Sequence, residues 1–176
     1  FAIPIYAGEP KLHDEITRVP GSFKQAIAGI HNLMNKNIDI EIRIVVLKKN
    51  YKELENIAKF IVKNMPQVKM VNIMALEMTG NAFKNKDQVW INFTDESDYL
   101  YKACMRLIAN GIVTNLYNFP LCCIDERLYS ISRKSITDYK VRYKEQCEEC
   151  DAQDCCGGFF SSTINIKDIT IKPIKS

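Results

Sequence analysis

The sequence predicts an α/β fold built on a parallel sheet. Short runs rich in β-branched residues recur along the first two thirds of the chain. Amphipathic helical segments separate them, and most of the runs are apolar almost throughout. Strands covered by helices read this way, with right-handed crossovers linking parallel neighbours.

The elements follow in order. "FAIPIYA" opens as an apolar strand over about residues 1–6. In "SFKQAIAGIHNLMNKN", Ser22 and Gln25 have the spacing of a capping box. Phe23, Ala26, Ile27, Ile30, Leu33 and Met34 then recur at helical intervals. "IDIEIRIVVL" predicts a strand over residues 39–47. Within it Ile40, Ile42, Ile44 and Val46 share one face, and Glu41, Arg43 and Val45 the other. A charge on that second face needs a partner or a ligand, and a mutual Glu41–Arg43 pair is the plain alternative.

Asn50 and Glu53 predict the start of a second helix, with Leu54, Ile57, Ala58 and Ile61 as its buried stripe and Pro66 beyond its end. "VKMVNIMALE" predicts a strand over residues 68–76. Thr94 or Asp95 is expected to cap a third helix, whose apolar stripe is Leu100, Ala103, Cys104, Leu107 and Ile108 and whose end is Gly111. "IVTNLYN" supplies a strand over residues 112–117. The strand ends, where function collects in parallel sheets, are Tyr6–Gly8, Leu47–Asn50, Glu77–Gly80 and Tyr117–Pro120. Beyond Pro120 the chain turns polar and cysteine-rich. Ser135 with Asp138 predicts a short helix, and "TINIKDITIKPIKS" one or two short strands.

Composition narrows the function classes. At 47% hydrophobic and 26% charged, the chain has the balance of a globular protein with a sizeable core. A net charge of +3 is too mild to point to nucleic acid or a membrane surface. No apolar run has the length of a transmembrane span and no signal peptide is visible, so a cytoplasmic location is expected. Phe1 in place of an initiating Met leads to the expectation that the chain is processed or is part of something longer.

Seven cysteines are present, and all but Cys104 fall between Cys122 and Cys156. Such clustering reads as ligation, not as stapling of a whole domain. Cys147-x2-Cys150 puts two thiolates within reach of one centre, Cys156-Gly157-Gly158 follows, and Cys122 lies upstream at the exit of the last strand. Four thiolates suit either zinc or a 4Fe–4S cluster, and spacing alone does not choose between them. The two glycines allow backbone N–H groups to approach the sulfurs. Cys123 and Cys155 each sit beside a better candidate and read as spare thiols that could replace a neighbour. Cys104 reads as core. His13 and His31 read as surface or helix residues, not ligands.

"YNFPLCC…RKSITDYKVRYKEQCEECDAQDCCGGFFSS" resembles the C-terminal signature of radical S-adenosylmethionine peptide maturases, more narrowly the HxsC type of His-Xaa-Ser peptide systems. "PIYAGEPKLHDEITRVPGSF", "IEIRIVVLKKNYKELENIAKFIVKNMPQV" and "VNIMALEMTGNAFKN…VWI" are similar to the second half of that family's barrel. The resemblance implies the C-terminal half of a (β/α)6 partial TIM-like barrel over residues 1–118. Residues 119–176 would form a cysteine-rich auxiliary-cluster domain of the twitch or SPASM kind. It implies Cys122, Cys147, Cys150 and Cys156 as ligands of an auxiliary 4Fe–4S cluster, with zinc as the alternative, although the family usually lacks cysteine where Cys123 and Cys155 stand. It implies Arg43, Tyr6 and Glu77 at positions near cofactor or substrate. Arg18 sits roughly where related maturases have a cofactor-contacting arginine.

The family's C-x3-C-x2-C motif, which holds the cluster that cleaves S-adenosylmethionine, does not occur in these 176 residues. S-adenosylmethionine and a second 4Fe–4S cluster would belong to the full-length enzyme, and this portion alone should be inactive. The implied partners are a ribosomally made precursor peptide and a second radical maturase of the same system. An open sheet edge would also favour homo-oligomers of the piece. A zinc-binding interaction module without catalytic activity is the competing reading.

Overall fold

The computed structural model describes residues 1–134, 138–166 and 169–175. Five parallel strands form one sheet: β1 (Ala2–Pro4), β2 (Glu41–Val45), β3 (Met70–Met74), β4 (Val113–Tyr117) and β5 (Ser132–Arg133), in the order β1-β2-β3-β4-β5. Spatial order equals chain order. With right-handed crossovers, that order sends each connection to the same side of the sheet. The helices are α1 (Pro10–Thr17), α2 (Ser22–Met34), α3 (Leu54–Asn64), α4 (Gly80–Lys84), α5 (Lys86–Val89) and α6 (Phe93–Ile108). β5, which lies beyond residue 118, joins the main sheet beside β4. Two further short strands, β6 (Val141–Arg142) and β7 (Phe159–Phe160), pair antiparallel.

The facing read from β2 holds. Ile40, Ile42, Ile44 and Val46 are buried, while Glu41 and Arg43 are only partly covered. Register places Val71 and Thr114 beside Ile42, and Ile73 and Leu116 beside Ile44, so one apolar face meets the helices. Leu54, Ile57, Ala58 and Ile61 of α3, with Leu100, Ala103, Cys104 and Leu107 of α6, complete that core. Ile108, expected on the α6 stripe, is exposed instead. Burial pushes the Cys104 thiol up to about 12, which keeps it an inert core group.

The opposite face is polar. Arg43 donates to Glu41 Oε1 at 2.5 Å, Glu41 also bonds Asn72, and Asn115 donates to Asn72 Oδ1 at 2.9 Å. The mutual Glu41–Arg43 pair is thus the arrangement present. The sheet edges are blunt: β1 has three residues and β5 two.

Helix starts differ from the sequence reading. Gly21, not Ser22, precedes α2, and Asp14 of α1 takes the capping role, accepting from Gly21 N–H at 2.6 Å and Phe23 N–H at 2.8 Å. Ser22 instead donates to Asp14 at 3.0 Å and contacts His13 Nδ1 at 3.2 Å. His13 is therefore a buried clasp residue, its pKa lowered by burial, whereas His31 is exposed as expected. Asn50 precedes the 3₁₀ turn Tyr51–Glu53 that leads into α3, but its side chain makes no cap bond. Buried, it bonds Leu47 N–H and the carbonyls of Tyr6 and Val45, tying together the ends of β1 and β2. Asn92, not Thr94 or Asp95, caps α6. Gly111 closes the turn after it at φ 75°. Helix α1 has its own signals, Glu9 accepting from Lys11 and Leu12 N–H and Pro10 at the first helical position. The helix start expected at Ser135 lies outside the described residues, and the expected C-terminal strands are turns and irregular chain where described.

Glu96, in the first turn of α6, is 2% exposed, and its Oε2 has no hydrogen-bond partner among the described residues. Burial, with Asp95 adding to it, raises its pKa well above the usual carboxylate range. The folded chain therefore holds a proton there that the unfolded chain loses above about pH 4.5. Stability contributed by this proton is present in acid and falls as pH rises from the unfolded pKa toward the folded one. Glu96→Gln should raise neutral-pH stability by about 1–3 kcal/mol, with the gain fading toward about pH 4.5. Urea melts of both proteins across pH check this, and parallel pH profiles would refute it.

Candidate metal centre

Cys122, Cys147, Cys150 and Cys156 line one pocket, walled by Tyr143, Phe159 and residues of the C-terminal tail. They come from three local turns. Cys122 sits in the 3₁₀ turn Leu121–Cys123 that leaves β4, Cys147 in the 3₁₀ turn Glu145–Glu149 with Cys150 just beyond its end, and Cys156 just after the 3₁₀ turn Gln153–Cys155. All seven cysteines are free thiols.

Backbone donors converge on the sulfurs. Leu121 N–H and Gly158 N–H each donate to Cys156 Sγ at 3.4 Å, and Ile174 N–H donates to Cys150 Sγ at 3.4 Å. Lys172 N–H donates to Cys122. Such donors stabilise thiolate over thiol and surround the sulfurs of thiolate-ligated centres. Burial opposes ionisation at Cys147 and Cys156 and pushes both thiols up, and the neighbouring thiols add to the shift. Cys122 is lowered, chiefly by its hydrogen bond from Cys123, which is raised in turn.

The donor set fits a thiolate-bound centre. Its spacing is not that of a closed ion site. The space among the thiols is about 20 Å³, room for roughly one ion or water. Yet among the described residues no three His, Cys, Asp or Glu side chains stand close enough together to share one ion. Tetrahedral zinc at about 2.3 Å from each sulfur needs thiolates about 3.8 Å apart.

The glycines explain how Cys156 reaches the sheet. A Cβ on Gly157 would lie 3.1 Å from both Arg133 O and Phe119 O. Gly158 has φ 61°, and its Cβ would lie 2.8 Å from Val141 Cγ1 and 3.0 Å from Arg142 O. The segment after Cys156 is thereby pressed onto the ends of β4 and β5 and onto β6. Cys123 is buried and Cys155 exposed, and neither lines the pocket.

A second site lies at the carboxyl ends of β1, β2 and β3. A cavity of about 660 Å³ is lined by Tyr6, Arg18, Val45, Met74, Glu77 and Phe160, among others. Tyr6 and Glu77, chosen from sequence, share it, and so does Arg18. Arg43 does not line it, since it lies two residues earlier on β2, paired with Glu41. Glu77 pairs with Lys140 at 3.1 Å, and Phe160 arrives from β7, so the cysteine-rich segment forms part of the wall. Thr17, Asn81 and Asn85 are lining residues that the sequence reading missed. They belong to α1, α4 and the turn into α5, and the Pro10 signal alone could have found α1.

No protein-family model and no curated protein matches the chain. The fold and site define a mixed α/β protein with a five-stranded parallel sheet and a four-thiol pocket beside its carboxyl end. Among the described residues, no helix is long and apolar enough to cross a membrane.

Gly158→Ala should destabilise the fold by at least about 1–2 kcal/mol from its left-handed backbone alone, with the contact to Arg142 O adding to that. A denaturant midpoint unchanged from wild type would show that the seam is looser than described.

Proposed function

We propose that this chain is the C-terminal portion of a radical S-adenosylmethionine enzyme that modifies a ribosomally made precursor peptide. Cys122, Cys147, Cys150 and Cys156 would hold an auxiliary 4Fe–4S cluster. One observation carries the reading: four cysteines singled out from spacing and resemblance line one pocket and receive backbone N–H donors. When bound, such a cluster supplies one-electron chemistry tuned by hydrogen bonds to its sulfurs. The chain's own residues would do the positioning. Tyr6, Arg18 and Glu77 face a cavity big enough for a cofactor-sized ligand, and Lys140 and Phe160 tie its wall to the thiol-bearing segment.

The sheet order supports an arc of a β/α barrel, because barrels add strands in chain order whereas doubly wound sheets reverse. The polar face of Glu41, Arg43, Asn72 and Asn115 would look toward the barrel interior. The C-x3-C-x2-C half would supply S-adenosylmethionine cleavage and its own cluster, and a second maturase of the same system would be a partner. This portion alone would not form the radical.

The space of about 20 Å³ favours a second reading, a zinc-binding interaction module. Anaerobic loading with iron and sulfide decides between them. The enzyme reading expects brown protein with about four irons and four sulfides per chain, lost in Cys147→Ser. Colourless protein that binds one tight zinc and refuses iron would establish the module. An arc with an uncovered face should also self-associate, so a monodisperse monomer by light scattering would count against the arc.

A further inference from the structure

Cys122 and Cys123 are consecutive, and their sulfurs stand 3.9 Å apart within one tight turn. They face different surroundings. Cys122 is half-buried and lines the four-thiol pocket. Cys123 is 4% exposed, does not line that pocket, and turns its sulfur toward Thr170 O at 3.7 Å. Cys123 is thus a fifth thiol, in contact with Cys122 of the four.

We propose that Cys122 and Cys123 form a redox-responsive pair that closes to a disulfide and withdraws Cys122 from the four-thiol set. The pocket assignment rests on the metal-centre reading above, but the pair itself does not. With a peroxide as oxidant, the Cys122 sulfur attacks one peroxide oxygen, the O–O bond breaks, and a sulfenic acid and water form. The Cys123 sulfur then attacks the sulfenic sulfur, the S–O bond breaks, and a second water leaves. Two thiols and one peroxide become one disulfide and two waters, with two electrons passing from sulfur to oxygen. Neighbouring Cα atoms are about 3.8 Å apart across a trans peptide, shorter than the usual disulfide span of roughly 4.4–6.8 Å. A bridge closed at that separation is strained and readily reduced, which suits a reversible switch and not a staple.

The competition runs both ways. A metal centre that uses the Cys122 thiolate denies it to Cys123, and a closed bridge leaves Cys147, Cys150 and Cys156 one ligand short. By linkage, each state must weaken the other by the same factor.

The test uses the full chain, with and without bound metal, treated with hydrogen peroxide, alkylated and digested with trypsin. Cleavage after Arg106 and Arg127 yields a peptide whose only cysteines are Cys122 and Cys123. In metal-free wild type that peptide should be about 2 Da lighter and resist alkylation until treated with dithiothreitol. Cys123→Ser and Cys123→Ala should not show the loss, and circular dichroism checks that both fold. Protein loaded with iron and sulfide, or with zinc, should oxidise at least about tenfold more slowly at this peptide. No mass loss in the metal-free wild type, or the same loss in both variants, overturns the pair. Mass loss in a protein that takes up no metal upholds the pair and defeats the metal-centre reading. Metal uptake without protection overturns the competition.

Discussion

The backbone approach at Gly157–Gly158 is the constraint on which the rest of the molecule turns. The chain runs so close to the carbonyls of Phe119 and Arg133 on one side, and Arg142 on the other, that side chains have no room there. Because it does, Cys156 is set beside the turn carrying Cys122, and Gly158 N–H points at its sulfur. The next two residues form β7. Phe159 joins an edge-to-face contact with Phe93, which also meets Phe119, and Phe160 enters the wall of the carboxyl-end cavity. One stretch of backbone thus links the thiol pocket, the aromatic core beneath it and the larger cavity.

The sheet imposes a second order on the molecule. Because chain order equals strand order, the helices gather on the apolar face and, among the described residues, leave the other face without a helical layer. That face would be costly if its polar groups were unpaired. Arg43, Glu41, Asn72 and Asn115 bond in sequence across β2, β3 and β4, so the face is satisfied internally and tolerates either water or a covering layer. Open space is found instead at the strand ends, where Asn50 holds β1 and β2 together.

Periodicity made the sheet and the three long helices legible, because each buries a stripe of Ile, Leu, Val and Ala. It failed where the controlling interaction lies far along the chain. Ser22 looks like a cap in isolation, but Asp14 reaches over from α1 and takes that role. Asn50 looks like a cap as well, yet its amide is drawn to carbonyls of two strands. Strands β5, β6 and β7 have two residues each, too few to show any period. At the candidate site the cysteines announced themselves by clustering. The tail that supplies N–H donors from Lys172 and Ile174 did not, since backbone donors carry no side-chain signature.

Those tail donors have a physical consequence. Burial raises the Cys147 and Cys156 thiols, and the neighbouring sulfurs add to the shift. Whatever the pocket binds must displace protons from them, so affinity depends on everything that favours thiolate. The donors come from three places: the turn before Cys122, the glycine after Cys156, and the C-terminal tail. The first two are fixed by the sheet and the glycine seam. The third rests on irregular chain, held at Ile174 by the Asp151 N–H bond to its carbonyl at 3.0 Å and by the bond its own N–H makes to Cys150. A ligand that demands thiolate therefore strengthens the N–H bonds from the tail, and those bonds in turn favour that ligand.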